Sequence, residues 1–234
     1  LELHIEQGPV LENAGLSVGL VDAIVGMDLV RYRLLGEARH AGSTPMPVRR
    51  DAGRGACLAV SRAFEAMAAS DLGESGRMTF GAIHLLPGAT NVVPAEAIVA
   101  SEVRAGDAES IGRLRRMVDE AFDTAAAACG LELVREAGEI DEPAKLSPEI
   151  MDVVGKAAEE AGIATAVLPS GACHDAQTFA PKVPSGMIFV SSRNGISHHR
   201  DEFTEPAAIV AGATVLLGAL RRLLSGVAAQ TSGH

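Results

Sequence analysis

Two histidine–carboxylate clusters stand near opposite ends of the chain: Glu2-Leu3-His4-Ile5-Glu6-Gln7-Gly8-Pro9 and Gly195-Ile196-Ser197-His198-His199-Arg200-Asp201-Glu202. Imidazole nitrogen and carboxylate oxygen are the donors that hold borderline divalent cations such as Zn²⁺. Each cluster adjoins glycine and an expected strand end, where loops project side chains into a cleft. A lone histidine is more often a surface residue than a ligand. Two clusters, with His174-Asp175 between them in sequence, point together to a metal-dependent hydrolytic site.

The elements that must position these residues are built from a chain of 234 residues, 47% hydrophobic with a mean hydropathy of +0.20, which excludes a disordered polypeptide. Aromatics make up 3%, so Ala, Val, Leu and Ile must fill the core. A formal charge of −10 and a pI near 5.2 argue against nucleic acid, whose phosphates require clustered Lys and Arg. Three widely spaced cysteines make no disulfide framework; Cys57 and Cys129 read as buried helical thiols, and a reducing cytoplasm is the expected compartment. The apolar run Ala207–Leu220 falls short of the roughly 20 residues that span a bilayer, so it reads as a core helix and no membrane association is expected. The chain opens Leu1-Glu2-Leu3 with no methionine and no visible signal peptide, and is expected to be a piece of a longer protein.

Periodicity divides the chain into a segment 1–26, an inserted module 27–137 and a closing segment 138–234. In the module, Val30, Tyr32 and Leu34 alternate with Arg31 and Arg33, the pattern of a half-buried strand. A helix over Asp51–Ala69, strands Arg77–Leu86 and Ala97–Arg104, a helix capped by Asp107 and ended by Gly130, and a strand Leu131–Arg135 complete a β-α-β-β-α-β order. That order is ferredoxin-like, an antiparallel sheet with helices on one side, and its open face or edges suit a partner subunit. After Pro143, a helix from Ser147-Pro148, a strand Ile163–Leu168, a short helix Asp175–Ala180, a strand Met187–Val190 and a helix Pro206–Leu224 alternate. Such alternation predicts a parallel sheet covered on both faces. The fold class is α/β: part of a doubly wound catalytic domain carrying an inserted ferredoxin-like α+β lid or dimerisation domain. Gln230–His234 is a small polar tail, and His199 and His234 read as exposed.

Five motifs in order carry a resemblance: Glu2 to Pro9, Arg39-His40-Ala41-Gly42-Ser43-Thr44-Pro45-Met46, Asn91-Val92-Val93-Pro94, Ser170-Gly171-Ala172-Cys173-His174-Asp175-Ala176, and Gly195-Ile196-Ser197-His198. The chain resembles the carbamoylase branch of the dinuclear-zinc aminoacylase and carboxypeptidase family. That branch contains N-carbamoyl-L-amino acid hydrolases, β-ureidopropionases and allantoate amidohydrolases. The resemblance implies a metal-dependent amidohydrolase that cleaves linear C–N bonds in ureido compounds bearing a carboxylate. It implies two divalent ions per intact subunit, Zn or Mn with Co or Ni as further fits, and a homodimer.

The resemblance also assigns roles. His4 and His198 would each ligate a metal. Gln7, Asn91, Arg104 and His174 would hold the substrate, Arg104 forking onto its carboxylate. His40, reaching from the inserted domain of the opposite subunit, would polarise the scissile carbonyl. The remaining family ligands, a His-x-Asp pair and a Glu-Glu pair whose first member is the general base, have no counterpart here and are expected upstream of Leu1; Glu159-Glu160 lies on a solvated helix face. Glu102 stands where the family usually has Asp, Cys173 where it usually has Gly, and His199-Arg200-Asp201 where Pro commonly follows. Arg49-Arg50 is either a substrate clamp or, preferably, a salt-bridged helix start. Allantoate amidohydrolase and β-ureidopropionase are the alternatives within the class; a non-catalytic dimerisation module is the alternative from another class.

Overall fold

The computed structural model describes the backbone of residues 1–231 and the side chains of residues 1–225, so His234 lies outside the described residues. Its elements sort into two compact units, one formed by Leu1–Val25 with Ala144 onward and one by Gly26–Pro143. The second unit therefore interrupts the first in sequence. The expected module, 27–137, stops short of this boundary because its last strand runs on past Ala137.

The chain opens with β1 (Glu2–Ile5), a one-turn helix α1 (Val10–Asn13) and β2 (Val18–Ile24). The second unit then follows: β3 (Gly26–Leu35), β4 (Arg39–His40), α2 (Ala52–Ala68), β5 (Arg77–Leu86), β6 (Val92–Val93), β7 (Glu96–Ala105), α3 (Ala108–Cys129) and β8 (Glu132–Asp141). The closing segment holds β9 (Ala144–Lys145), α4 (Pro148–Glu160), β10 (Thr165–Ser170), α5 (Asp175–Phe179), β11 (Met187–Val190) and α6 (Pro206–Thr231).

In the second unit the sheet order is β5-β7-β3-β8, antiparallel throughout. With α2 and α3 this is the β-α-β-β-α-β topology read from the sequence. The helices start where their capping side chains dictate: Asp51 accepts from the Arg54 amide at 3.0 Å and Asp107 from the Ser110 amide at 2.8 Å. Gly130 closes α3 in the left-handed region at φ 63°. Tyr32, stacked on Phe122 at 4.0 Å, sits in a core shared with Val30, Leu34, Val99, Leu114 and Val118. Strand β8 is longer than expected, since its pairing to β3 crosses an irregularity between Asp28 and Val30. Gly138 makes that crossing possible: an added Cβ would lie 2.4 Å from Leu29 Cδ2 and 2.7 Å from Leu29 O.

In the first unit the sheet order is β1-β11-β2-β10, with β9 added to the end of β2. It is mixed rather than parallel: β1 and β11 run together, β2 and β10 run together, and β11 opposes β2. The all-parallel expectation fails because β2 was not legible as a strand. It follows β1 through a link too short for the crossover that parallel strands need, so it returns in the opposite sense. Both faces are covered as expected. Val18, Leu20 and Ile188 pack on α4 and α6, while Val21, Phe189 and Met187 pack beneath Leu11 and Ala176.

Helix α6 is long and apolar enough by length and composition to cross a membrane over Pro206–Ser225. The expected core helix packs against the sheet along one face only. Ala208, Val215 and Ala219 are buried, whereas Val210, Leu217 and Leu224 are exposed. Cys129 is buried as expected, but Cys57 is exposed because its position falls on the outer face of α2.

Candidate functional site

In the first unit the site forms where β1 and β11 end side by side, His4 opposite Phe189 and Ile5 opposite Val190. Loops leaving the carboxyl ends of neighbouring parallel strands emerge on one edge, the usual place for ligand chemistry in an α/β sheet. The Glu6 amide donates to Val190 O at 2.9 Å and the Gln7 amide to Ser192 Oγ at 3.1 Å, tying the two loops at their roots. Gly195, at φ 64°, approaches so closely that a Cβ would lie 2.8 Å from Gly8 C and Pro9 N. Three non-glycine residues here also adopt positive φ: Gln7 at 58°, Asn194 at 55° and His198 at 54°. Backbone strain of this kind persists only where surrounding contacts impose it, and it gathers at functional sites.

The side chains of these loops interlock. Gln7 Nε2 donates to Ser197 Oγ at 2.8 Å and lies 3.4 Å from His198 Nε2. Ser197 Oγ donates to Glu202 Oε2 at 2.9 Å, and the same oxygen accepts from the His198 amide at 3.1 Å. These two hydrogen bonds, Ser197 first, hold the Glu202 carboxyl below its ordinary range, with help from the His198 and His4 rings. Gln7 and His198 are thus brought together, as the sequence predicted for residues of one site.

His4 presents a ring suited to a metal. Its Nδ1 lies 2.9 Å from Ile5 O, which can only accept, so Nδ1 carries a proton and the neutral form of the ring has its lone pair on Nε2. A second ring, His174, meets it edge-on with centroids 4.5 Å apart. His174 Nε2 lies 2.7 Å from the fully buried Ser170 Oγ, which itself donates to Ala172 O at 2.9 Å. The Ser170 hydroxyl proton is thereby engaged, and His174 Nε2 must be the donor. Burial first, then the neighbouring His4, pushes the His174 pKa down to about 4, so the ring is neutral at ordinary pH. Its side chain is only 1% exposed, which makes it a support beneath His4 and leaves little ring surface for the substrate contact that the resemblance implies.

The two acids of the first cluster have structural tasks instead. Glu6 is buried and accepts from the Val10 and Leu11 amides at 2.7 and 2.9 Å, starting α1. Glu2 accepts from the Ala176 amide at 2.7 Å at the start of α5. Among the described residues no group of three or more His, Cys, Asp or Glu side chains is arranged to hold a metal ion. The imidazoles of His4 and His198 fit a divalent ion as ligand types, and they make up only part of a ligand set.

In the second unit, β4 and β6 form a two-stranded ribbon with His40 opposite Val92. The Ala41 amide donates to Asn91 O at 2.9 Å, so Asn91 lies across from Ala41, one residue along the ribbon from His40. Arg104 does not join them. It lies opposite Met27, at the far end of β7 from Glu96, which pairs with Leu35. Eight residues of strand separate the ends, roughly 26 Å. Register therefore keeps the Asn91 amide and the Arg104 guanidinium of one chain at opposite ends of β7. Glu102 Oε1 accepts from Arg104 Nε at 2.6 Å, a contact made on the same face of β7. Among the described residues Arg49 and Arg50 form no salt bridge: they donate to the backbone carbonyls of Ala41 and Thr44 and of Gly130, respectively. Sequence reasoning missed Ser170, Ser192 and Ser197, small hydroxyls whose roles appear only once the loops are placed.

The sequence profile of Peptidase family M20/M25/M40 matches residues 1–222. The chain belongs to this family. An N-carbamoyl-L-amino acid amidohydrolase of Geobacillus stearothermophilus is 34% identical over 228 residues, covering 97% of the chain and 54% of that protein. An allantoate amidohydrolase of Escherichia coli (strain K12) is 34% identical over 216 residues, covering 92% and 52%. A solved amidase of the hydantoinase/carbamoylase family from Burkholderia multivorans superposes with a TM-score of 0.83 at 34% identity, covering 93% of the chain and 52% of that protein. As a member of the M20/M25/M40 family the chain thus spans about half the length of the relatives it matches.

Proposed function

We propose that this chain is part of a metal-dependent amidohydrolase that cleaves the linear C–N bond of N-carbamoyl-L-amino acids. The observation that carries this is the locked pair of loops presenting His4 Nε2 and His198 at one sheet edge. Relatives at 34% identity with amidohydrolase names support the reaction class.

In the complete enzyme His4 and His198 would hold a pair of divalent ions together with ligands from the half that the relatives possess beyond this match. Such ions, when bound, bring the pKa of a water toward about 7. Gln7 orients the His198 side of the site. Arg104, braced by Glu102, forks onto the substrate carboxylate. His40 donates to the scissile carbonyl oxygen as negative charge develops there. Overall, water and an N-carbamoyl amino acid give the free amino acid, ammonia and carbon dioxide.

The reading includes a homodimer in which His40 and Asn91 of one copy complete the site of the other. Their position at the opposite end of the sheet from Arg104 favours it, since the three residues cannot grip one small substrate within a single chain. Allantoate is the second substrate reading, favoured by an allantoate amidohydrolase at the same 34% identity.

The test is turnover by the protein at full family length, loaded with Zn²⁺ or Mn²⁺. N-carbamoyl-L-amino acids are expected to give the highest kcat/KM, above allantoate and N-carbamoyl-β-alanine. Preference for allantoate would reverse the order of the two substrate readings; turnover of none would remove the reaction class.

A further inference from the structure

The loop that carries His40 is held by a residue that the site assignment does not use. Arg49 Nε donates to Thr44 O at 3.0 Å, and one of its terminal nitrogens donates to Ala41 O. Among the described residues no carboxylate pairs with this guanidinium. Its donors are spent across the loop instead, joining the residue after His40 to the loop's far side. Within the loop so closed, the amides of Gly42 and Ser43 both point at His40 Nδ1, at 3.1 and 3.2 Å. The Thr44 amide returns to His40 O at 3.2 Å. A backbone amide can only donate, so Nδ1 must accept from both. The neutral ring therefore carries its proton on Nε2.

We propose that Arg49 is a positioning residue for His40: its guanidinium staples the Ala41–Thr44 loop, and the stapled loop fixes the ring with Nε2–H outward as a hydrogen-bond donor. This rests on the reading of His40 as the donor to the substrate carbonyl, and it adds how that donor is prepared. The tautomer matters because the opposite one would present a lone pair to the developing oxyanion and repel it. Gly42 belongs to the same device. An added Cβ there would come to 3.3 Å from His40 Cε1, so a side chain would crowd the ring and press it from this position. Arginine is required rather than lysine, because two carbonyls on opposite sides of a loop are spanned by a rigid planar fork and not by a single ammonium.

Two measurements test this. In the 234-residue chain, nitrogen-15 shifts of the His40 ring above its titration range report the tautomer. The unsubstituted chain is expected to show Nε2–H alone, whereas Arg49→Lys and Arg49→Ala show a mixture. Added guanidinium ion should restore the single tautomer in Arg49→Ala, which a misfolded chain would not permit. Arg50→Lys, altering the neighbouring contact to Gly130, should leave the ring unchanged. A single Nε2–H tautomer in folded Arg49→Lys or Arg49→Ala overturns the proposal.

In the metal-loaded enzyme of full family length, Arg49→Lys is expected to lower kcat by roughly tenfold or more, the scale of a misplaced catalytic group. KM should stay within about twofold, since ground-state contacts are untouched. Loss through KM alone, with kcat intact, also overturns it. If the unsubstituted enzyme turns over no ureido substrate while the tautomer behaves as described, Arg49's role stands and the assigned reaction falls.

Discussion

His4 and His174 meet edge to face, with ring centroids 4.5 Å apart. One ring directs a lone pair outward; the other is buried beneath it, held by Ser170. Groups that orient a ligand from behind commonly change metal affinity by roughly 10–100-fold when removed. His174→Ala in the enzyme of full family length is therefore expected to weaken Zn²⁺ binding on that scale, as read by chelator competition. A raised KM with Zn²⁺ affinity unchanged would instead restore the substrate-contact role for His174.

The close approach of Gly195 to the Gly8–Pro9 peptide gives a second expectation. Alanine there would carry a Cβ into backbone at 2.8 Å while holding φ at 64°. Strain and displacement together should cost about 1–3 kcal/mol, seen as a lower Tm. Gly171→Ala, where a Cβ meets nothing within 4 Å, is the control and should change little. Equal Tm values for the two would show that the loops yield without cost.

Much of this was legible in the sequence, and the failures have physical causes. Asp107, Gly130, Ser147 and Pro148 announce their helix ends because capping is local chemistry. The ferredoxin-like order was readable because Val30, Tyr32 and Leu34 alternate against charged neighbours. Strand β2 was not: Val18, Leu20 and Val21 are all buried by helices on both faces, which erases alternation. Half of β8 was missed because Glu132, Arg135 and Glu139 lie on an exposed edge whose strand state is set by pairing to β3. The expectation that His4 and His198 are ligands rests on residue type and resemblance. The structural tasks of Glu2 and Glu6 could not be read this way, since each is defined by an amide elsewhere in the fold.

Hybrid dimers test the placement of His40 across from Arg104. A His40→Ala chain and an Arg104→Ala chain should each be nearly inactive alone at full family length. If His40 acts on the other copy's site, mixing them after dissociation restores one intact site in each heterodimer. Random pairing then recovers about a quarter of the unsubstituted activity. No recovery, with heterodimers verified by native mass spectrometry, would place both residues in one subunit's site.

Asp119 anchors the second unit. It accepts from Tyr32 Oη at 2.8 Å, Arg115 Nε at 2.9 Å and Arg135 Nε at 2.9 Å. Burial would raise its pKa, but these donors and the Arg115 charge outweigh burial and hold it below the ordinary carboxylate value. A depressed folded pKa means stability that is fully present above the unfolded value near 4 and is lost as pH falls through the folded one. Asp119→Asn should therefore cost about 1–3 kcal/mol at pH 7 and flatten the decline in stability on acidification. An unchanged acid profile would assign that decline to other carboxylates.

The last expectation concerns Arg104, whose Nε donates to Glu102 Oε1 at 2.6 Å. Glu102 is one methylene longer than the aspartate that the resemblance leads one to expect, and it still reaches the guanidinium from two positions away on the same face. A brace of this kind fixes the plane of the fork, and plane is what a two-point contact with a carboxylate needs. Lysine would keep the charge but lose both the plane and the second hydrogen bond. Each charge-assisted hydrogen bond is worth about 1.5–3 kcal/mol. Arg104→Lys should thus lower kcat/KM for N-carbamoyl-L-amino acids by roughly 10–100-fold. The corresponding amides, which carry no carboxylate, should lose far less. Glu102→Gln should show the same selectivity in milder form, because it frees the plane without removing the fork. Equal losses on acids and amides would make Arg104 a support of the sheet end and leave the substrate carboxylate to another residue.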